Sequence, residues 1–178
     1  KRKKIYVWGK NQKILIARGV VGSFALFLVY ESLNRLTLAQ ATVIQYLYPI
    51  FIAILASFLL KETLNKNIIL SAILGLIGVF WILNFPFMNS EIVFDIGSIG
   101  IAVTGSILTA LAYVLVRLAS TYNESPYVIM FYFPLFTVML AVPFIYQSWS
   151  KPTLYYWMVL VIIGVCTQLG QWFLTFGY

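Results

Sequence analysis

The sequence predicts an all-α polytopic membrane protein with six transmembrane helices. Three observations carry this. Of the 178 residues, 62% are apolar and only 10% are charged, and the mean hydropathy is +0.93. Apolar stretches recur at the length of about 18–20 residues that a helix needs to cross the hydrocarbon core of a bilayer. The basic residues, which bring the net charge to +7, gather at the ends of those stretches, as membrane topology requires and nucleic-acid binding does not.

The first span, about 14–33, follows Lys10 and Lys13. The second, about 38–60, opens at Thr37-Leu38-Ala39-Gln40, a capping box with Thr37 as N-cap and Gln40 reaching back, so Gln40 is structural. The third, about 67–84, carries Ser71, Gly75 and Gly78, small residues that let neighbouring backbones approach. The fourth, about 97–119, ends near Arg117. The fifth, about 126–146, has Ser125 as N-cap and Pro126 as its first residue. Its Phe131-Tyr132-Phe133 predicts lipid or rim contact, away from any substrate. Asn123-Glu124-Ser125 matches a glycosylation sequon but is followed by proline on the predicted cytoplasmic side, and reads as a cap. The sixth span, about 154–178, runs to Tyr178 without flanking charge. With no methionine before Lys1, this suggests a fragment of a longer protein.

Alternating spans place Lys1, Arg2, Lys3, Lys4, Lys10, Lys13, Arg18, Lys61, Lys66 and Arg117 on one side. Arg35, Lys151, Glu91 and Asp95 fall on the other. The Lys-rich side is then cytoplasmic, and the expected setting is a bacterial inner membrane. Several chemistries are excluded. The absence of histidine removes the usual zinc sites and His-based triads. The lone Cys166 allows no internal disulfide, and the lone Asp95 allows no aspartyl dyad. No enzyme activity, cofactor or metal is predicted. No acidic residue falls at mid-span, so no ion-coupling carboxylate is evident.

Polar residues form stripes at helical spacing. The second span carries Thr42, Gln45, Tyr46 and Pro49; the fourth carries Ala102, Gly105, Ser106, Thr109, Ala112 and Tyr113. The sixth carries Gly164, Gln168, Gln171, Thr175 and Tyr178; the first carries Gly19, Gly22, Ser23, Leu26 and Tyr30. An unpaired amide or hydroxyl in hydrocarbon costs a few kcal/mol, so these faces look inward. Helix packing accounts for the glycines. For Gln45, Tyr46, Gln171 and Trp172, interhelical bonding and a polar cavity both remain open. Pro49 removes the backbone bond to residue 45 and predicts a kink at the centre of the second span.

Arg18-Gly19-Val20-Val21-Gly22-Ser23, then Ala39-Gln40-Ala41-Thr42-Val43-Ile44-Gln45-Tyr46-Leu47-Tyr48-Pro49, then Lys61-Glu62 and Gly75-Leu76-Ile77-Gly78, resemble the EamA-type permeases of the drug/metabolite transporter superfamily. Lys61 departs from the pattern, which commonly has glycine before the corner glutamate. The resemblance implies that this chain is the central part of a ten-helix inverted-repeat transporter. Residues 1–84 would be the last three helices of the first repeat, 85–96 an extracytoplasmic loop, and 97–178 the first three helices of the second. It implies a small-molecule substrate, a lipid bilayer as partner, and export of neutral or zwitterionic metabolites such as amino acids by alternating access. Tyr30, Gln45, Tyr46, Pro49, Thr109, Tyr113, Gln171 and Trp172 are then the expected substrate-lining residues. A sugar-nucleotide or organic-phosphate carrier is the alternative and would need Lys or Arg in the path; a membrane scaffold or sensor would need no cavity.

Overall fold

A computed structural model describes residues 8–61, 66–87, 95–148 and 151–177. Lys1, Arg2, Lys3, Lys4, Glu62, Glu91 and Tyr178, used above, lie outside them. Seven helices follow in order: α1 (Gln12–Arg35), α2 (Leu38–Gln45), α3 (Tyr48–Leu59), α4 (Lys66–Phe87), α5 (Ile96–Thr121), α6 (Pro126–Ser148) and α7 (Leu154–Phe176). No strand occurs among the described residues. Among the described residues, five stretches are long and apolar enough to cross a bilayer: Gln12–Arg35, Leu38–Leu59, Ile96–Thr121, Pro126–Tyr146 and Leu154–Phe176. The chain is an integral membrane protein. It divides into two compact units, one of Lys1–Val20 with Leu115–Tyr178 and one of Val21–Val114.

In the Val21–Val114 unit, the predicted capping box starts α2. Thr37 Oγ1 accepts from the Gln40 backbone N–H, and Gln40 Oε1 accepts from the Thr37 N–H at 3.1 Å. The second predicted span is not one kinked helix but two. The Tyr46 N–H bonds Thr42 O at 2.9 Å and the Leu47 N–H tightens to Ile44 O at 3.1 Å, closing α2. Pro49 cannot donate back to Gln45, so the ladder restarts from Leu47 O, which accepts from Ile50 at 3.1 Å. Helix α4 lies along both halves. At Gly75 and Gly78, expected at a close helix seam, an added Cβ would meet no packing neighbour among the described residues within 4 Å. Gly105 does serve close packing: a Cβ there would come within 3.3 Å of Leu28 and 3.4 Å of the Val29 nitrogen. The fourth-span stripe is buried at Ala102, Gly105, Ser106 and Ala112.

Two devices end helices in this unit. Lys61, just past the Leu60 C-cap of α3, has φ +55, the left-handed conformation that favours glycine at this position. This is the residue that departs from the glycine of the EamA-type pattern. Lys61→Gly is expected to raise stability by about 1 kcal/mol, read as a higher melting temperature in detergent. Asp95 caps α5, accepting from the Gly97 and Ser98 backbone N–H groups, both at 3.1 Å, and from the Ser98 hydroxyl at 2.5 Å. The Ser98 hydroxyl, followed by the two backbone donors, holds its carboxyl below the usual carboxylate range. A lowered carboxylate pKa stabilises the fold above the unfolded value, and the stabilisation disappears as pH falls through the folded one. Acidification below pH 3.8 should therefore loosen the start of α5 in the native chain. In Asp95→Asn the same acid step should have a smaller effect, as hydrogen exchange at Gly97 and Ser98 would report.

The other unit is built on Leu15, Val116, Ala119, Val128, Ile129 and Tyr132, with Ile14, Phe136 and Leu174 packed around them. Helix α5 ends in a Schellman turn. The Asn123 N–H bonds Ser120 O at 2.9 Å, the Glu124 N–H bonds Ala119 O at 3.2 Å, and Asn123 takes φ +57. The Asn123-Glu124-Ser125 segment is thus a helix stop followed by the Pro126 start of α6. The Glu124 carboxylate is buried and accepts from the Lys10 and Asn11 backbone N–H groups at 2.8 and 2.5 Å. It thereby ties the start of α1 to the α5–α6 corner. Tyr132 Oη donates to Trp8 O at 3.0 Å beside it. At Gly19 a Cβ would collide with the Phe136 ring and lie 2.9 Å from Tyr132 O. A ring can turn but a helix carbonyl cannot, so Gly19→Ala should cost about 1–3 kcal/mol in a denaturation series.

Candidate functional site

Within the Val21–Val114 unit the helix break gathers the polar residues of the second span. Loss of the Pro49 donor frees the carbonyl of Gln45, and the Ser106 hydroxyl of α5 donates to it at 3.3 Å. One turn along α5, Thr109 Oγ1 accepts from Gln45 Nε2 at 3.1 Å while donating to its own helix at Gly105 O, 2.8 Å away. The Thr109 proton is therefore committed, which fixes the Gln45 amide with nitrogen toward Thr109 and leaves Oε1 as an acceptor. Tyr113, one turn further, lies 5.5 Å from the Tyr48 ring at 41°. Gln45, Thr109 and Tyr113 thus fall along one α2/α3–α5 seam. Tyr30, Tyr46 and Pro49 are exposed.

Within the other unit, Gln171 lies half-buried on α7 and Trp172 stacks on Phe176 at 5.5 Å, with Tyr127 edge-on at 6.0 Å. The two neighbours in sequence thus do different things. Gln171 lines a groove of about 220 Å³ with Gly164, Thr167 and Gln168 of α7 and Phe133, Pro134, Thr137 and Val138 of α6. Trp172 belongs to the aromatic cluster and not to this wall. The sequence reading kept the fifth span away from substrate; in the structure its Phe133–Val138 segment forms half of the groove. Beneath it Arg18 is buried, its Nη2 donating to Gln171 Oε1 at 3.4 Å and its guanidinium 4.8 Å above the Phe133 ring.

Sequence reasoning missed three of these partners. Ser106 was in the stripe but not in the site, although an orphaned Gln45 carbonyl demands a donor. Tyr48 was quoted in the family-like motif but not placed among the lining residues. Arg18 was read as a boundary charge because it is only about 9 Å from the start of α1, within reach of a snorkelling side chain. Its burial follows from Gly19, whose missing side chain admits α6 at that level.

Comparison with known proteins agrees with this architecture. Residues 1–84 match the EamA-like transporter family. Over 99% of its length the chain is 30% identical to an uncharacterized transporter of Helicobacter pylori, covering 60% of that protein. It is 27% identical over 91% of its length to the pseudopaline exporter CntI of Pseudomonas aeruginosa, covering 56% of it. Over 49% of its length it is 39% identical to solute carrier family 35 member G1 of Homo sapiens, covering 24% of that protein. The chain therefore spans about 60% of the length of the first of these relatives. No solved structure matches it. The match to the EamA-like transporter family thus extends over residues 1–84 of the chain.

Proposed function

We propose that this protein transports small neutral or zwitterionic metabolites, such as amino acids, across a bacterial cytoplasmic membrane by alternating access, in the export direction. Its Lys-rich N-terminus would lie in the cytoplasm. The observation that carries the reading is the interrupted span Leu38–Leu59. A helix broken at its middle exposes backbone and amide groups where hydrocarbon would penalise them, and transporters use such breaks at solute sites. Here Ser106 and Thr109 satisfy part of the break, and Gln45 Oε1 is left to accept from a solute. Tyr30, Tyr46, Pro49 and Tyr113 supply aromatic and apolar lining without formal charge in the same unit. Gln171 and Trp172, in the other unit, are proposed as lining residues in their own right. The repeat boundaries 1–84 and 97–178 belong to this proposal. Relatives named as transporters and as an exporter support the transport class.

The test is a metabolite profile of the medium from cells expressing the full-length gene, intact and with Gln171→Ala. Accumulation of an amino acid or related zwitterion only with the intact protein supports the reading. Equal profiles across such compounds contradict it.

A further inference from the structure

The α6–α7 groove carries more information than its polarity. Arginine has donors only, so the Gln171 atom facing Arg18 Nη2 at 3.4 Å is necessarily its oxygen. The carboxamide nitrogen, with two N–H donors, is thereby turned away from the guanidinium. The hydroxyls on the walls are committed the other way: Thr137 Oγ1 donates to Phe133 O at 2.8 Å and Thr167 Oγ1 to Ile163 O at 2.7 Å. Thr167 Oγ1 therefore presents lone pairs. The groove thus has a donor group at Gln171 and an acceptor at Thr167, and Arg18 places a permanent positive charge beside the donor. Arg18 is 3% exposed, so little water screens that charge. A volume of about 220 Å³ is below the roughly 300–1,000 Å³ of drug-sized sites, so the groove suits a small solute.

We propose that this groove binds the carboxylate of a small solute, with the Gln171 amide donating to it, Arg18 supplying the buried countercharge, and the Thr167 oxygen facing its cationic end. The inference rests on the transport reading and gives its solute a required group, a free carboxylate. Arg18 acts through Gln171, as a positioning residue with an electrostatic role. Gln168, also on the wall, contributes to the solute's polar contacts.

The test uses the purified full-length protein in nanodiscs of phosphatidylcholine and, separately, of phosphatidylglycerol. Binding of small L-amino acids, their carboxamides and inorganic phosphate is read by thermal stabilisation. The intact protein should bind at least one amino acid ten-fold or more tightly than its carboxamide, in both lipids. Arg18→Lys should keep most of that preference, Arg18→Gln should reduce the ratio to near one, and Gln171→Glu should invert it. A purely structural Arg18 would weaken both forms equally, and that result overturns the proposal. So would absence of acid preference in the intact protein, tighter binding of phosphate, or a preference abolished by phosphatidylglycerol, which would assign the groove to lipid. The two readings fail separately. Discrimination without transport of any tested amino acid sinks the transport reading alone; transport with carboxamides accepted equally sinks the carboxylate site alone.

Discussion

Replacing Glu124 with alanine is expected to cost about 3 kcal/mol, the largest stability effect of any single side chain discussed here. The carboxylate is 7% exposed and takes both the Lys10 and Asn11 N–H groups. Those donors stand at the start of α1, where no intrahelical acceptor exists. Alanine would leave two backbone donors unmatched at a charge-assisted site. It would also release the α5–α6 corner from the first helix. Gly9, at φ +68 beside this site, permits the chain to bend toward Glu124; a Cβ there would lie 2.9 Å from the carboxylate. Glu124→Gln keeps an acceptor oxygen and should lose about half as much. Chemical denaturation of the three proteins in detergent checks the ranking. Equal stability of the alanine variant and the parent would show that water replaces the carboxylate at no cost.

Gln45→Leu is expected to reduce transport by ten-fold or more while lowering stability by only about 1 kcal/mol. Leucine preserves the approximate volume but removes the bond to Thr109, 3.1 Å away, and the acceptor proposed above to receive the solute. A tenfold loss corresponds to about 1.4 kcal/mol of solute interaction, within the range of one hydrogen bond to a charged group. Thr109→Val should reproduce part of this, because the amide then loses the partner that orients it. Ser106→Ala acts on the backbone of the break instead and should destabilise more than it alters solute preference. Initial rates in proteoliposomes, normalised to folded protein, separate the two effects.

What the sequence disclosed followed how local each interaction is. The capping box at Thr37 and Gln40 involves four consecutive residues and was legible in full. So was Pro126 as the start of α6. Pro49 announced an interruption, but not that the helix would stop at Tyr46 and restart at Tyr48. That outcome depends on Ser106, 61 positions away, accepting the task of satisfying the Gln45 carbonyl. Gln45 and Thr109 were both expected in the site from their stripes, and the structure pairs them. The Glu124 clasp joins residues 113 and 114 apart, and no periodicity encodes it. Arg18 was misplaced for a different reason. A charge near a span end reads as an interface anchor unless the neighbouring helix is known to cover it, and Gly19 was the cue to that cover.

The claim at the centre of this account is that the break in Leu38–Leu59 faces a water-filled solute path. Cys166 is the sole cysteine of these 178 residues, so Cys166→Ser, with serine at any cysteine of the remaining full-length sequence, gives a clean background for Tyr46→Cys at the break. The most direct measurement is the labelling rate of that variant, in the full-length protein in intact membranes, by a charged, membrane-impermeant thiol reagent. The account predicts rapid labelling that slows when the transported metabolite is present. Labelling no faster than at an apolar-face control on the exposed side of α7, such as Val161→Cys, would contradict it.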